Sequence, residues 1–242
     1  MIYISLGSIL LIILSISNFL NIKFKIKINE TYFVSCSIII LLSYWSYLLS
    51  IYYNKDYLIY SYYLLNIFAF IVALYLIKNF SKIDQKFNIE FIIFFLLIFY
   101  FSKDKYFLDQ DELTYWGYSI KELFTNSIFF ENGYRRYHHH PPGLTLFQYL
   151  FVFIKYQEGM IIFANNVLLI TAYFYLFYDN KFSRIEKFFI FLLYYLLINN
   201  LSFGFMSAYS DPILGVFFSC ILKLCYAFII PKEKNNHIIN TS

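Results

Sequence analysis

The chain has 242 residues, of which 60% are apolar and only 14% charged, against about 45–50% and about 25% in soluble globular chains. A soluble fold of this length cannot hide so much apolar surface, and the scarcity of Gly (7) and Pro (4) excludes collagen-like and low-complexity sequence. The net charge of +4 is modest and provides no basic face for nucleic acid, so the chain reads as an all-α polytopic membrane protein.

A spanning helix takes about 20 mostly apolar residues. In chain order the apolar runs are 2–20, 32–52, 58–77, 88–102, 160–178, 188–206 and 212–230, which predicts about seven transmembrane helices in a single membrane domain, 1–242. The first run is expected to stay in place rather than be cleaved, because no Lys or Arg precedes it and no small-residue cleavage site follows it. Cys36, Cys220 and Cys225 lie in apolar stretches and form no CxxC, so they read as small buried hydrophobes. Lys223, inside the last run, is expected to snorkel toward the membrane face. The bias toward Ile, Lys, Asn, Tyr and Phe fits an AT-rich genome and predicts a bacterial inner (plasma) membrane.

Basic residues concentrate in alternate connections: Lys23, Lys25 and Lys27; Lys78, Lys82 and Lys86; Lys181, Arg184 and Lys187; Lys232 and Lys234. Basic loops stay in the cytoplasm. The N-terminus is therefore predicted outside, the C-terminus cytoplasmic, and the long segment 103–159 outside. That outer loop holds most of the histidines and two of the three arginines, so it is where chemistry is expected.

Within it, Leu113, Trp116, Ile120, Leu123 and Phe124 make one apolar stripe at helical spacing, predicting an interfacial helix over 112–124. Asp111 stands where its N-cap would be, with Asp109 two residues earlier. Asp111 is either that cap or, with Glu112, part of an acidic cluster suited to a base, a metal or a cation partner. Arg135-Arg136-Tyr137-His138-His139-His140-Pro141-Pro142-Gly143 follows. It is either an exposed polar turn or a site in which one or two of the histidines join Glu112 around a divalent metal. Pro141 and Pro142 break any helix, and a new apolar helix over 144–156 is too short to span, so it is predicted interfacial or re-entrant. Its start, beside His140, Arg135 and Arg136, suits a phosphate; the competing role for the arginines is lipid head-group anchoring. Ser210-Asp211-Pro212 is ordinary helix-start chemistry that falls on the same outer face.

Asp111-Glu112-Leu113-Thr114-Tyr115-Trp116, followed by His140-Pro141-Pro142-Gly143, resembles the first outer loop of the GT-C membrane glycosyltransferases. The likeness is to the protein O-mannosyltransferase and lipid A aminoarabinose transferase branch, covers roughly 109–155, and extends to Ser210-Asp211-Pro212. It implies transfer of a sugar from a polyprenyl-phosphate donor to an envelope glycan, lipid or protein acceptor on the non-cytoplasmic face, with inversion. On that reading Asp111 is the catalytic base and Glu112 orients the acceptor or holds a metal with His138 or His140. Arg135, Arg136, His140 and Asp211 then bind the donor. The competing classes are a non-catalytic or truncated relative, and a transporter or scaffold of envelope polysaccharide assembly. A transporter is expected to carry polar breaks at mid-membrane, for which Asn165-Asn166 and Asn199-Asn200 are thin support.

Overall fold

The computed structural model describes residues 2–53, 57–107, 117–126, 143–178, 182–202 and 211–229. These residues are helical apart from short connections, with no strand among them. The order is α1 (Ile2–Phe24), α2 (Ile28–Tyr53), α3 (Tyr57–Lys78), a single 3-10 turn (Phe80–Lys82), α4 (Gln85–Ser102), α5 (Gly117–Asn126), α6 (Gly143–Val152), α7 (Glu158–Phe177), α8 (Arg184–Ser202) and α9 (Asp211–Ile229). The protein is an all-α polytopic membrane protein. Among the described residues, five of the predicted spans, α1, α2, α3, α4 and α7, are helices long and apolar enough to cross a bilayer. The other two predicted spans are also helical, as α8 and α9, and within α9 the described residues Pro212–Tyr226 form a shorter apolar helix.

α7 lies at the centre. Of its most apolar stretch 89% is buried, against 28% for α3, so α7 is enclosed by protein while α3 presents most of its surface outward. α7 packs on α2, α4, α6, α8 and α9, and α1 joins α2 and α3. Much of the core is aromatic. Tyr32 of α2 stacks on Phe91 of α4 at 4.1 Å, and Phe174 of α7 meets both rings edge-on at 5.5 Å. Such offset and edge-to-face pairs add about 0.5–1.5 kcal/mol each beyond their burial. Large side chains on the opposite faces, among them Trp45, Leu64, Phe70, Ile93 and Tyr100, are exposed. An apolar belt of this extent belongs against lipid.

The predicted alternation of charge becomes a division between two ends. Lys23 reaches over the Tyr75 ring, joining the end of α1 to the end of α3. Asn29 donates to Tyr178 O at 2.7 Å, joining the start of α2 to the end of α7. Lys187 pairs with Glu90 at 3.9 Å, joining α8 to α4. These contacts gather Lys23, Lys27, Lys78, Lys86 and Lys187 at one end, called here the lysine-rich end. The connection there between α1 and α2 is tight: Lys25 adopts φ 57°, and Asn21 donates to Ile26 O at 2.8 Å. A left-handed residue just past a helix end is a common helix stop.

Polar residues inside the bundle are tied between helices. Asn18 of α1 and Asn88 of α4 exchange hydrogen bonds at 3.1 and 2.9 Å, and Tyr32 donates to Asn88 Oδ1 at 2.9 Å. Lys223 does more than snorkel. It donates to the carbonyls of Tyr175 and Leu176, where the end of α7 has acceptors to spare. Cys36 and Cys220 are buried as expected, whereas Cys225 is exposed, on a face of α9 turned away from α7 and α8.

Candidate functional site

Asp109, Asp111, Glu112, Arg135, Arg136, His138, His139 and His140 lie outside the described residues, as does the side chain of Asp211, although Asp211 does open α9 as expected. The structure describes the frame from which both motif segments depart. The exit of α4 and the start of α7 are at the end of the bundle opposite the lysine-rich end, and Gly143 lies deeper.

The first segment leaves α4 through residues 103–107, and these are clamped to the start of α7. Gln157, the residue preceding α7, donates through Nε2 to Lys103 O at 2.5 Å. Glu158 accepts from Phe107 N at 2.9 Å. Asn166, two turns into α7, donates to Ser102 Oγ at 2.8 Å. The approach is close because residue 159 is glycine: a Cβ there would fall 2.5 Å from Lys103 O and nearer still to Ser102 O. Phe107 itself is buried.

α5 lies between the two motif segments and packs on α6. Ile120 and Leu123 are buried and Phe124 meets the Tyr156 ring at 5.9 Å, which is the apolar stripe read from the sequence. Leu113 and Trp116, the rest of that stripe, lie outside the described residues. The helix begins at Gly117 in the described chain, so the capping role of Asp111 lies outside it too. Burial, and then the charge of nearby Glu158, push the Tyr156 phenol up to about 12, so it remains a hydrogen-bond donor at neutral pH.

The second segment ends at α6, which is shorter than the predicted helix and more deeply enclosed. Thr145 through Val152 are all buried, against α1, α2 and α7. Its first residue, Gly143, sits so that a Cβ would be 3.3 Å from Ile40 Cγ2 of α2. Ile40 is well inside α2, 13 residues before its end at Tyr53, or about 20 Å at the helical rise. α6 therefore starts deep in the bundle and runs back toward the outer end, a re-entrant rather than an interfacial placement. Two polar contacts hold it there. Tyr62 of α3 donates to Leu146 O at 2.8 Å, and Gln148 donates to Asn165 of α7 at 2.6 Å. Asn165 and Asn166 thus tie α7 to α6 and to the end of α4, roles in packing that the sequence alone did not suggest. The side chains of Asn199 and Asn200 lie outside the described residues.

The frame thus holds the exit of α4 against the start of α7, packs α5 on α6, and sets Gly143 deeper, beside Ile40 of α2. Among the described residues no group of three or more His, Cys, Asp or Glu side chains could hold a metal ion. The expected metal ligands Glu112, His138 and His140 are outside them. No family model, no curated protein and no solved structure matches this chain.

Proposed function

We propose that the chain is a membrane glycosyltransferase of the GT-C type, which moves a sugar from a polyprenyl-phosphate donor to an envelope glycan, lipid or protein. The observation that carries this reading is the paired motif itself, Asp111-Glu112 and His140-Pro141-Pro142-Gly143, carried on the one long connection between α4 and α7. In the reaction the acceptor hydroxyl attacks the anomeric carbon, its proton passes to Asp111, and the bond from sugar to phosphate breaks. The electron pair leaves with the phosphate, whose added charge falls to Arg135 and Arg136. Glu112 and Asp211 orient the acceptor and donor, and a divalent metal held by Glu112, His138 or His140 would act on the same phosphate. The work is on the non-cytoplasmic face, a reading supported by the basic residues of the short connections at the other end, since short basic loops stay in the cytoplasm.

The test is transfer by the purified full chain, supplied with a panel of radiolabelled polyprenyl-phosphate sugars and membrane extract as acceptor. Label moving from donor to extract supports the reading. Intact donor across the whole panel, from folded protein, refutes it and favours the scaffold or transporter class.

A further inference from the structure

A groove of about 420 Å³ opens between α1, α2 and α3. Its walls include Phe19 and Leu20 of α1, Leu42 of α2, and Leu64 and Phe68 of α3. Leu42, Leu64 and Phe68 are 44%, 64% and 44% exposed, so the groove belongs to the apolar belt that faces lipid. Two serines line it, and both turn to their own helices: Ser46 donates to Leu42 O at 2.8 Å and Ser61 to Leu58 O at 2.6 Å. Its surface is otherwise apolar.

Ring contacts lead from this groove to two lysines. Phe19 meets Phe68 on one side and Tyr75 on the other, each at 6.5 Å. Lys23 lies over Tyr75, with Nζ 5.5 Å from the ring centroid. Lys78 follows Tyr75 by three residues on α3, which places it on the same helix face. Lys23 is four residues past Phe19 and Lys78 is ten past Phe68, or about 6 and 15 Å along their helices. Both ammoniums therefore stand between the groove and the lysine-rich end.

Their charge has no counterpart here. Lys23 and Lys78 are exposed, and neither forms an ion pair among the described residues. The carboxylates described at this end are used on other sides of the bundle. Glu30 and Asp84 line a separate cavity with Lys27 and Lys223. Glu90 is engaged by Lys187 and by the Tyr178 hydroxyl, and Glu186 caps α8.

We propose that one anionic phospholipid sits here, with its phosphate between Lys23 and Lys78 and an acyl chain passing Phe19 and Phe68 into the groove. Charge complementarity and the depth of the apolar part select this occupant. A soluble phosphate leaves the groove uncovered, and a zwitterionic lipid brings its own cation to a site already positive. A second copy lying parallel in the membrane brings the same lysines to the same level, where they repel. The proposal is independent of glycosyl transfer and stands or falls separately.

The test is native mass spectrometry of the detergent-purified full chain with phosphatidylglycerol and phosphatidylcholine of matched acyl chains. The wild type should retain phosphatidylglycerol in preference. Lys23→Gln and Lys78→Gln should each reduce that preference about fivefold, the factor expected for one lysine beside an anionic lipid surface. Lys86→Gln, which removes an exposed lysine of α4 away from this groove, should leave it unchanged. Leu42→Trp fills the groove without touching either lysine, so it should lower retention of phosphatidylglycerol. Glycerol 3-phosphate should not displace the lipid. Equal retention of the two lipids, the same loss of preference in Lys86→Gln, unaltered retention in Leu42→Trp, displacement by glycerol 3-phosphate, or a lipid-free dimer would each overturn the proposal.

Discussion

Gly159 decides how closely the outer segment is held. The carbonyls of Ser102 and Lys103 occupy the space a side chain would need, and both belong to backbone that cannot swing aside. Gly159→Ala should therefore separate the end of α4 from α7 and lower stability by about 1–3 kcal/mol. Gly7 is the control, being helical with nothing within 4 Å of its Cβ position. Gly7→Ala should be neutral or stabilising, since alanine favours a helix over glycine by about 0.5–1 kcal/mol. Thermal unfolding in detergent distinguishes them, and equal shifts would contradict the account. Nothing in the sequence around Gly159 announced this role, because it depends on a residue pair 57 positions apart, Ser102 and Gly159. The same holds for Asn18 with Asn88 and for Lys187 with Glu90. Their partners come only from the packing of α1, α4 and α8.

Among the elements, the spans were legible because burial in lipid demands an uninterrupted apolar run. Their limits were less so. α2 begins at Ile28 and α4 at Gln85, a few residues before the apolar runs, because capping and turn residues extend a helix past its hydrophobic stretch. α6 was visible as a short apolar helix, yet its enclosure by α1, α2 and α7 was not, since an all-round apolar pattern fits lipid and protein alike. α8 carries a reciprocal cap ahead of its apolar stretch: Glu186 accepts from Ser183 N at 2.6 Å, and Ser183 Oγ accepts from Glu186 N at 3.3 Å. The bond from the Ser183 backbone holds the Glu186 carboxyl below its ordinary value of 4.5. A lowered folded value means that the cap is complete above the unfolded value and is lost as pH falls through the folded one. Amide exchange in the first turn of α8, corrected for intrinsic rates, should accelerate between neutral pH and about pH 3. Glu186→Gln keeps an acceptor but cannot titrate, so it should abolish that acceleration. The same acceleration in both proteins would assign it to some other group.

At the scale of the whole molecule, the alternation of short basic connections was readable from the sequence, and contacts between helix ends gather those connections at one end. The proposed orientation predicts that Asn132, in the long connection between α4 and α7, is outside. A cysteine introduced there should react with a membrane-impermeant thiol reagent in intact cells, above the background of the unmutated chain. Labelling only after lysis would reverse the orientation. The candidate site is a spaced pattern of residue types in the sequence, whose members lie outside the described residues, while the frame beside it depends on long-range packing. The two readings of Asp111 are separable because a helix cap needs only a short acceptor, which asparagine supplies nearly as well as aspartate. A general base needs a carboxylate, and its loss typically lowers a rate about a hundred- to ten-thousand-fold. The most direct measurement is the rate of sugar transfer from a polyprenyl-phosphate donor by wild type, Asp111→Asn and Asp109→Asn, with helicity and membrane insertion checked in parallel. The account predicts a folded Asp111→Asn protein with that loss of rate and an Asp109→Asn protein near wild type. An Asp111→Asn protein that keeps most of the wild-type rate would contradict it.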